Sequence, residues 1–209
     1  MQSYTPRYMI LDVGAGSGSS LFEELRQREL RGSGTPEAMM IGIDIDREAL
    51  RTAKSSHPQF HFVCARGEQL PFRTNSFSEV ISRVAMPYMN IPITLREIRR
   101  VLMTPGELRI KLHPLSFTCA ELLAELKSGS LRQRLQNLIY RLYVILNGLA
   151  LHVAGFNFHF PFRRRCESFQ TRRGIERALL AAGFNSIDSS CWVTTIVPPH
   201  AGNCRVTAK

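Results

Sequence analysis

The sequence lacks three features that would each indicate a particular class of protein. It contains no run of about 18 uninterrupted apolar residues, which a membrane-spanning helix needs, and its first residues, MQSYTPRY, lack the charged-then-apolar pattern of a secretion signal. Its five cysteines include no CxxC pair, which favours a reducing compartment over a disulfide framework and disfavours a zinc site. These absences predict a soluble, cytoplasmic protein without a metal.

Acidic residues are also scarce. The chain has 17 of them against 27 lysines and arginines, so its formal net charge is +10. Long-range attraction then favours polyanions, acidic membrane surfaces or anionic substrates. The charge therefore indicates a kind of partner and leaves the fold open.

Apolar runs of strand length alternate with helical patterns through most of the chain. With 209 residues, of which 44% are hydrophobic, the chain can bury one sizeable core, and we predict a single domain over residues 1–209. Alternation of this kind is typical of an α/β protein with a mainly parallel sheet and ligands at the carboxyl ends of its strands. The predicted strands are 9–11, 41–43, 60–65, 79–85 and 108–114, with two closing strands near the C-terminus.

Residues 114–170 interrupt the alternation and predict a helical insertion. Thr118 and Glu121 have capping-box spacing for a short helix that continues to Lys127. A longer amphipathic helix should follow, because apolar residues recur at steps of three and four: Leu131, Leu135, Leu138, Leu142, Ile145, Leu149 and Val153. The aromatic and basic segment GFNFHFPFRRR closes the insertion.

The rest of the chain is organised around MILDVGAGSG at residues 9–18. An apolar strand ends at Asp12, and a turn with Gly14, Gly16 and Gly18 leads into a helix whose first N–H groups face the turn. The next strand likewise ends at an acid, Asp44. An acid there is suited to the two hydroxyls of a ribose.

Four motifs in this order are similar to those of a known family. DVGAGSG, GIDID, EQLPFRTNSFSEVIS and LREIRRVLMTPGELRIKLHP resemble the class I S-adenosylmethionine-dependent methyltransferases, over residues 8–113 and most closely in the small-molecule branch that includes quinone-biosynthesis enzymes. The resemblance implies a Rossmann-like, doubly wound, mainly parallel seven-stranded sheet with an antiparallel C-terminal strand. It also implies that the insertion after strand five, residues 114–170, covers the substrate pocket. We therefore expect the long helix of the insertion to close over the pocket with its apolar face inward.

The same resemblance assigns roles around S-adenosylmethionine. The three glycines would approach its methionine part, with Asp12 near the amino group, and Asp44 and the adjoining Ile45 would lie at the ribose. The adenine edge would meet Glu68, Gln69 and Leu70, and the reacting end would be bordered by Ser82 and Arg83. Two further residues are candidates for catalysis: His113, as a general base at the end of the fifth strand, and Tyr88, in the pocket wall.

The sequence departs from the family pattern at three positions. An acid that accepts a hydrogen bond from the adenine amino group usually stands where this chain has Arg66, and a guanidinium has donors only. A backbone carbonyl or Glu68 would have to replace that acid, or binding is weakened. Ser78 and Glu107 stand where an acid and a glycine are usual.

The resemblance predicts methyl transfer to a small, hydrophobic or lipid-like molecule, with peripheral membrane contact as a further expectation. Two alternatives stay open. RNA methylation is favoured by the net charge and by five arginines, Arg163, Arg164, Arg165, Arg172 and Arg173. A non-catalytic cofactor-binding module is favoured by Arg66 and by the lack of the helix that often precedes the first strand in this family.

Overall fold

The computed structural model describes residues 8–30, 38–112, 130–158, 166–188 and 204–208. The strands are β1 Met9–Val13, β2 Met39–Asp44, β3 His61–Cys64, β4 Phe77–Arg83, β5 Leu102–Lys111, β6 Ser186–Asp188 and β7 Cys204–Ala208. The α-helices are α1 Ser19–Leu30, α2 Arg47–Ser56, α3 Ile91–Val101, α4 Leu131–Ala154 and α5 Arg172–Ala181, and a 3₁₀ turn spans Met86–Tyr88. The predicted helix 118–127 and His113 lie outside the described residues.

The strands form one sheet in the order β3-β2-β1-β4-β5-β7-β6. Strands β1 to β5 pair in parallel, whereas β7 runs antiparallel to both β5 and β6. The predicted α/β Rossmann-like fold is confirmed. The chain builds outward from β1 in one direction and then restarts at β4 in the other, so a crevice opens between the carboxyl ends of these two strands, where such folds bind ligands.

Alternate residues of the central strands pack on opposite faces of the sheet. Ile10 and Ile81 pack with Leu21 of α1 on one face, whereas Leu11 and Val80 belong to the cluster that contains the buried side chains of α3 and α5 on the other. This two-sided burial explains why the strands are near-continuous apolar runs in sequence. The same alternation determines toward which face of the sheet the polar side chains at the strand ends point.

The TPGE segment differs from its predicted role as a turn before β5. Helix α3 ends at Val101, and β5 begins at once with Leu102 and includes the segment. The ladder with β4 is irregular there, because Phe77 pairs with Leu102 but Glu79 pairs with Glu107. Pro105 has no N–H with which to continue a regular ladder, so the strand bulges instead of turning.

Helix α4 begins at a capping box formed by Ser130 and Gln133 and ends at Gly155 in the left-handed conformation. The prediction that its apolar stripe faces inward is wrong. The buried residues of α4 are Arg141, Val144, Asn147, Gly148 and Leu151, whereas the stripe is mainly exposed. On the core-facing side the helix backbone lies close to the Phe169 ring, because a Cβ at Gly148 would overlap that ring.

Candidate functional site

A cavity of about 220 Å³ opens at the carboxyl ends of β1, β2 and β4. Its lining comes from the ends of β2 and β4 and from the segments that follow the first four strands: Gly14, Ile43, Asp44, Ile45, Ala65, Arg66, Gly67, Glu68, Arg83, Val84, Ala85, Tyr88 and Met89. Of the predicted site residues, the structure brings Gly14, Asp44, Ile45, Glu68, Arg83 and Tyr88 together in this wall. The cavity is thus located at the switch in strand order.

The glycine-rich turn after β1 is tied to the end of β2. The N–H groups of Gly14 and Ala15 both donate to the carbonyl of Ile43, at 2.9 and 2.8 Å. Gly14 has a φ of +84°, and a Cβ there would overlap the Cβ of Ala85. Glycine at this position therefore permits both the left-handed backbone and the close approach of the loop that follows β4.

Asp44 is held in a fixed orientation at the cavity wall. Its Oδ2 accepts a hydrogen bond of 2.9 Å from the N–H of Gly16, and its Oδ1 accepts one of 3.0 Å from the N–H of Asp46. Each carboxylate oxygen has a second lone-pair direction. The turn thus orients Asp44 without exhausting its capacity to accept bonds from hydroxyls.

Asp12 lies completely buried beneath the turn, and neither of its carboxylate oxygens has a hydrogen-bond partner among the described residues. Burial raises the pKa of this carboxyl from 3.8 to about 7, against the opposing effect of the Arg83 charge, and the acids Asp44 and Glu24 raise it further. A buried carboxyl without a donor is costly. It would gain from a donor supplied by a ligand or a water.

The segment after β3 is clamped onto α3. The N–H of Leu70 donates to Glu97 at 2.8 Å, and the carbonyl of Leu70 accepts a hydrogen bond from Arg100 at 3.0 Å. Glu97 and Arg100 are themselves paired, and that pairing is the main cause that lowers the pKa of Glu97 and raises that of Arg100. Leu70 is buried and lies outside the cavity wall, as does Gln69, which closes a tight bridge with Arg66.

Arg66 and Glu68 form an ion pair in the cavity wall, where the Arg66 Nε and Glu68 Oε2 atoms are 3.5 Å apart. The second oxygen of Glu68 accepts a 3.0 Å bond from the N–H of Asn90. Arg66 stands where the family pattern has an acid, and the carboxylate that pairs with Arg66 is that of Glu68. The sequence left two candidates, Glu68 and a backbone carbonyl, for the acceptor of the hydrogen bond from an adenine amino group. The position of Glu68 suits that role.

The chain after β4 forms the remaining wall. Ser82 is fully buried and donates to the carbonyl of Val13 at 2.9 Å, so its hydroxyl joins the two central strands below the cavity. Val84 has a φ of +65°, which is strained for a β-branched residue. Burial, followed by the charge of Arg83, lowers the pKa of Lys111. The strained backbone of Val84 and the positive charges of Arg83 and Lys111 thus lie together at the carboxyl ends of β4 and β5.

The other two glycines serve the turn itself. Gly16, at a φ of +51°, donates to Asp44, whereas Gly18 packs against Phe62 and His57 and lies outside the cavity lining. The structure does not describe His113, so its predicted role stays a prediction. Among the described residues there is no His, Cys, Asp and Glu cluster that could hold a metal.

Sequence reasoning missed a polar network that connects α4 to the cavity wall. Asn157 accepts a 3.0 Å bond from the N–H of Ile91 and donates to Oδ1 of Asn147 at 3.2 Å. Asn147 also donates to the carbonyl of Glu167 at 2.7 Å. The N–H of Cys166 donates to the carbonyl of Tyr88 at 3.1 Å. These contacts join four separate segments, so no local sequence pattern marks them.

Comparison with known proteins gives the family context of this site. Residues 10–106 match the family model described as a methyltransferase domain. A malonyl-[acyl-carrier protein] O-methyltransferase of Herminiimonas arsenicoxydans is 27% identical over 90% of this chain and 58% of its own length. The ubiquinone/menaquinone biosynthesis C-methyltransferase UbiE of Rhizobium rhizogenes is 31% identical over 50% of this chain and 41% of its own length. The chain thus spans less than two thirds of these relatives.

The fold is similar to that of solved structures. One is a SAM-dependent methyltransferase of Thermotoga maritima, described as a possible histamine N-methyltransferase, with a TM-score of 0.59 and 13% identity over 99% of this chain and 84% of the other. At this identity the likeness concerns the fold alone. It agrees with the Rossmann-like strand order of the sheet.

Proposed function

We propose that the chain is a class I S-adenosylmethionine-dependent methyltransferase and that it transfers the methyl group of this donor to a small, hydrophobic acceptor; its residues 10–106 match a methyltransferase domain. The observation behind the proposal is the crevice in which the glycine turn, Asp44 and Glu68 converge. S-adenosylmethionine, the methyl donor of the family, supplies an activated methyl group when bound. The protein then has to position the acceptor and exclude water.

The residues present fit this donor on two observations. Asp12 has two buried oxygens without a partner, suited to an ammonium group or to a water bound to one. Asp44 is pre-oriented by Gly16 and retains acceptor capacity for the ribose hydroxyls. In this proposal Glu68 accepts the hydrogen bond from the adenine amino group, and Arg66 balances the charge of Glu68.

A hydrophobic acceptor is supported by the side of the cavity that follows β4. There Val84, Ala85 and Met89 present apolar groups beside the Tyr88 ring. The partial similarity to a quinone-biosynthesis enzyme points the same way. Apolar walls with few polar groups suit an acceptor that is held by shape and dehydrated before reaction. If the acceptor atom bears a proton, a base is needed, and His113 stays the predicted one.

The test is incubation of the purified protein with isotopically labelled S-adenosylmethionine and an extract of hydrophobic metabolites, followed by mass spectrometry. Labelled products should form with the wild type and fall strongly with Asp44→Asn. In a parallel reaction with RNA, transfer of the label to RNA alone would favour the RNA alternative. Binding of the donor without transfer to either substrate pool would favour the non-catalytic module.

A further inference from the structure

Helix α4 exposes a row of large apolar side chains on the side that faces away from the core. Eight residues form this row, which we call the α4 stripe: Leu131, Leu135, Leu138, Ile139, Leu142, Leu146, Leu149 and Val153. Six of them are at least half exposed, from 50% at Leu142 to 85% at Leu131. A contiguous apolar surface of this length marks an interaction site more often than it marks ordinary surface.

The stripe and the buried face lie on opposite sides of the helix. At 100° per residue, the stripe covers roughly 100° of the helix circumference, and its centre is roughly 180° from the centre of the buried residues. The buried side includes Asn147, whose amide bonds with Glu167 and Asn157, and Arg141, paired with Glu167. The helix is thus fixed to the domain on one side between Arg141 and Leu151, and it is apolar on the other side along roughly 36 Å.

The charges of α4 indicate which partner fits. The helix contains no Asp or Glu, and its arginines are Arg132, Arg134 and Arg141. On a helical projection, Arg132 and Arg134 lie on the two sides of the stripe near its start. A second copy of α4 packed against this face would bring no Asp or Glu of its own helix to pair with these arginines. An anionic lipid surface complements both the apolar row and its basic borders.

We propose that α4 docks the protein on an anionic membrane surface, with the helix in the plane of the interface and the stripe among the lipid acyl chains. By length and composition alone, the same helix is apolar enough to span a bilayer. A spanning orientation would strip Asn147 and Arg141 of their partners in the domain and place them in hydrocarbon, at high cost. The in-plane orientation retains those bonds.

This inference goes beyond the proposed function, because it concerns a surface that contributes no residue to the cavity lining. It also bears on that function, since an interfacial protein meets hydrophobic acceptors where they are concentrated. Phe156 and Phe158, which follow the helix, are each 46% exposed and pack edge to face at 4.9 Å between ring centroids. They add exposed aromatic side chains just beyond Gly155, and aromatic side chains are favoured at membrane interfaces.

The experiment is co-sedimentation with two kinds of vesicle: equimolar phosphatidylcholine and phosphatidylglycerol, or phosphatidylcholine alone. The wild type should bind the mixed vesicles, and Leu135→Gln/Leu142→Gln/Leu149→Gln should bind them at least about tenfold more weakly. Arg132→Gln/Arg134→Gln should lose about fivefold for each arginine on mixed vesicles only. Leu180→Gln is a matched control, because Leu180 is 59% exposed on α5; it should bind as the wild type does.

Thermal unfolding and calorimetry with S-adenosylmethionine complete the design. The stripe variant should keep the wild-type melting temperature and donor affinity, so loss of vesicle binding without loss of donor binding separates this inference from the proposed function. The inference is overturned if the wild type does not bind the mixed vesicles, or if the stripe variant binds them as well as the wild type does. It is also overturned if the wild type is a dimer in solution, the stripe variant is a monomer and neither binds lipid.

Discussion

The Oδ2 atom of Asp44 lies 2.9 Å from the backbone nitrogen of Gly16, and the hydrogen bond between them joins the end of β2 to the turn after β1. The two residues are separated by 28 positions in sequence, yet Asp44 ends β2 and Gly16 follows β1, and these parallel strands end at one edge of the sheet. The acid is thereby oriented before any ligand arrives. Pre-orientation of this kind reduces the entropy that binding must overcome.

Replacement of Asp44 should therefore weaken S-adenosylmethionine binding. We expect Asp44→Ala to cost about 1–3 kcal/mol in binding free energy, the usual range when hydrogen-bonding partners are lost, as measured by calorimetry. Asp46→Asn is a matched control: Asp46 caps α2, and asparagine caps a helix about as well as aspartate. Equal donor affinity for Asp44→Ala and the wild type would remove Asp44 from the ribose site.

Arg66 offers a second test of the cavity. If the adenine amino group lies beside residue 66, Arg66→Asp should bind S-adenosylmethionine more tightly than the wild type, because it replaces donors with an acceptor. Arg66→Ala serves as the control, because it releases Glu68 from its ion pair without adding an acceptor. If Arg66→Asp binds no more tightly than Arg66→Ala, the adenine is held by other groups.

The Asp12 carboxyl predicts a pH dependence of stability. Its pKa is about 7 in the folded protein against a reference value of 3.8, so the folded state retains a proton that the unfolded state has released. Stability from this group is fully present below about pH 4 and is lost as the pH rises to about 7. The loss is roughly 1.4 kcal/mol per pH unit in that window.

Asp12→Asn should abolish this dependence. Unfolding by urea at a series of pH values should show that the variant gains stability over the wild type as the pH rises from about 4 to about 7, and that the difference then levels off. A constant offset between the two proteins is expected from the amide itself. A difference that does not change with pH would show that Asp12 is ionised in the folded protein throughout this range.

The β1 turn and Asp44 could be predicted from sequence because their signals are local. An apolar run that stops at an acid and a glycine gives both the strand and its end, and parallel pairing then brings neighbouring ends together. The boundaries were less exact. Strand β4 begins at Phe77, two residues before the prediction, because Phe77 is completely buried and pairs with Leu102.

The orientation of α4 could not be predicted in the same way. The periodicity of Leu135, Leu142 and Leu149 shows that the helix has an apolar side, but it does not say which side contacts the domain. Here the contact uses Gly148, which allows close approach to Phe169, and Asn147, whose bonds are made by residues distant in sequence. Such contacts depend on tertiary neighbours that helical periodicity does not encode.

The last prediction concerns Asn157, which lies between α4 and the cavity. Its Oδ1 holds the N–H of Ile91 at the start of α3, and its carbonyl accepts a bond from the Asn90 side chain at 3.4 Å. Asn90 in turn donates its N–H to Glu68. Asn157→Leu should thus lower stability by roughly 1–3 kcal/mol for each buried group left unpaired. It should also weaken donor binding, because Asn90, whose N–H bonds to Glu68, precedes Ile91 and is then held less firmly.

Thr171→Ala is the matched control for Asn157→Leu. Thr171 caps α5 through the N–H of Gly174 at 3.1 Å and bonds with His152 of α4, so its loss should cost about 1 kcal/mol of stability. It is absent from the cavity lining, and donor affinity should stay at the wild-type value. Urea unfolding measures the stability of both variants, and calorimetry measures their affinity for the donor. If Asn157→Leu loses stability but retains full donor affinity, the network supports α4 alone and does not position Glu68.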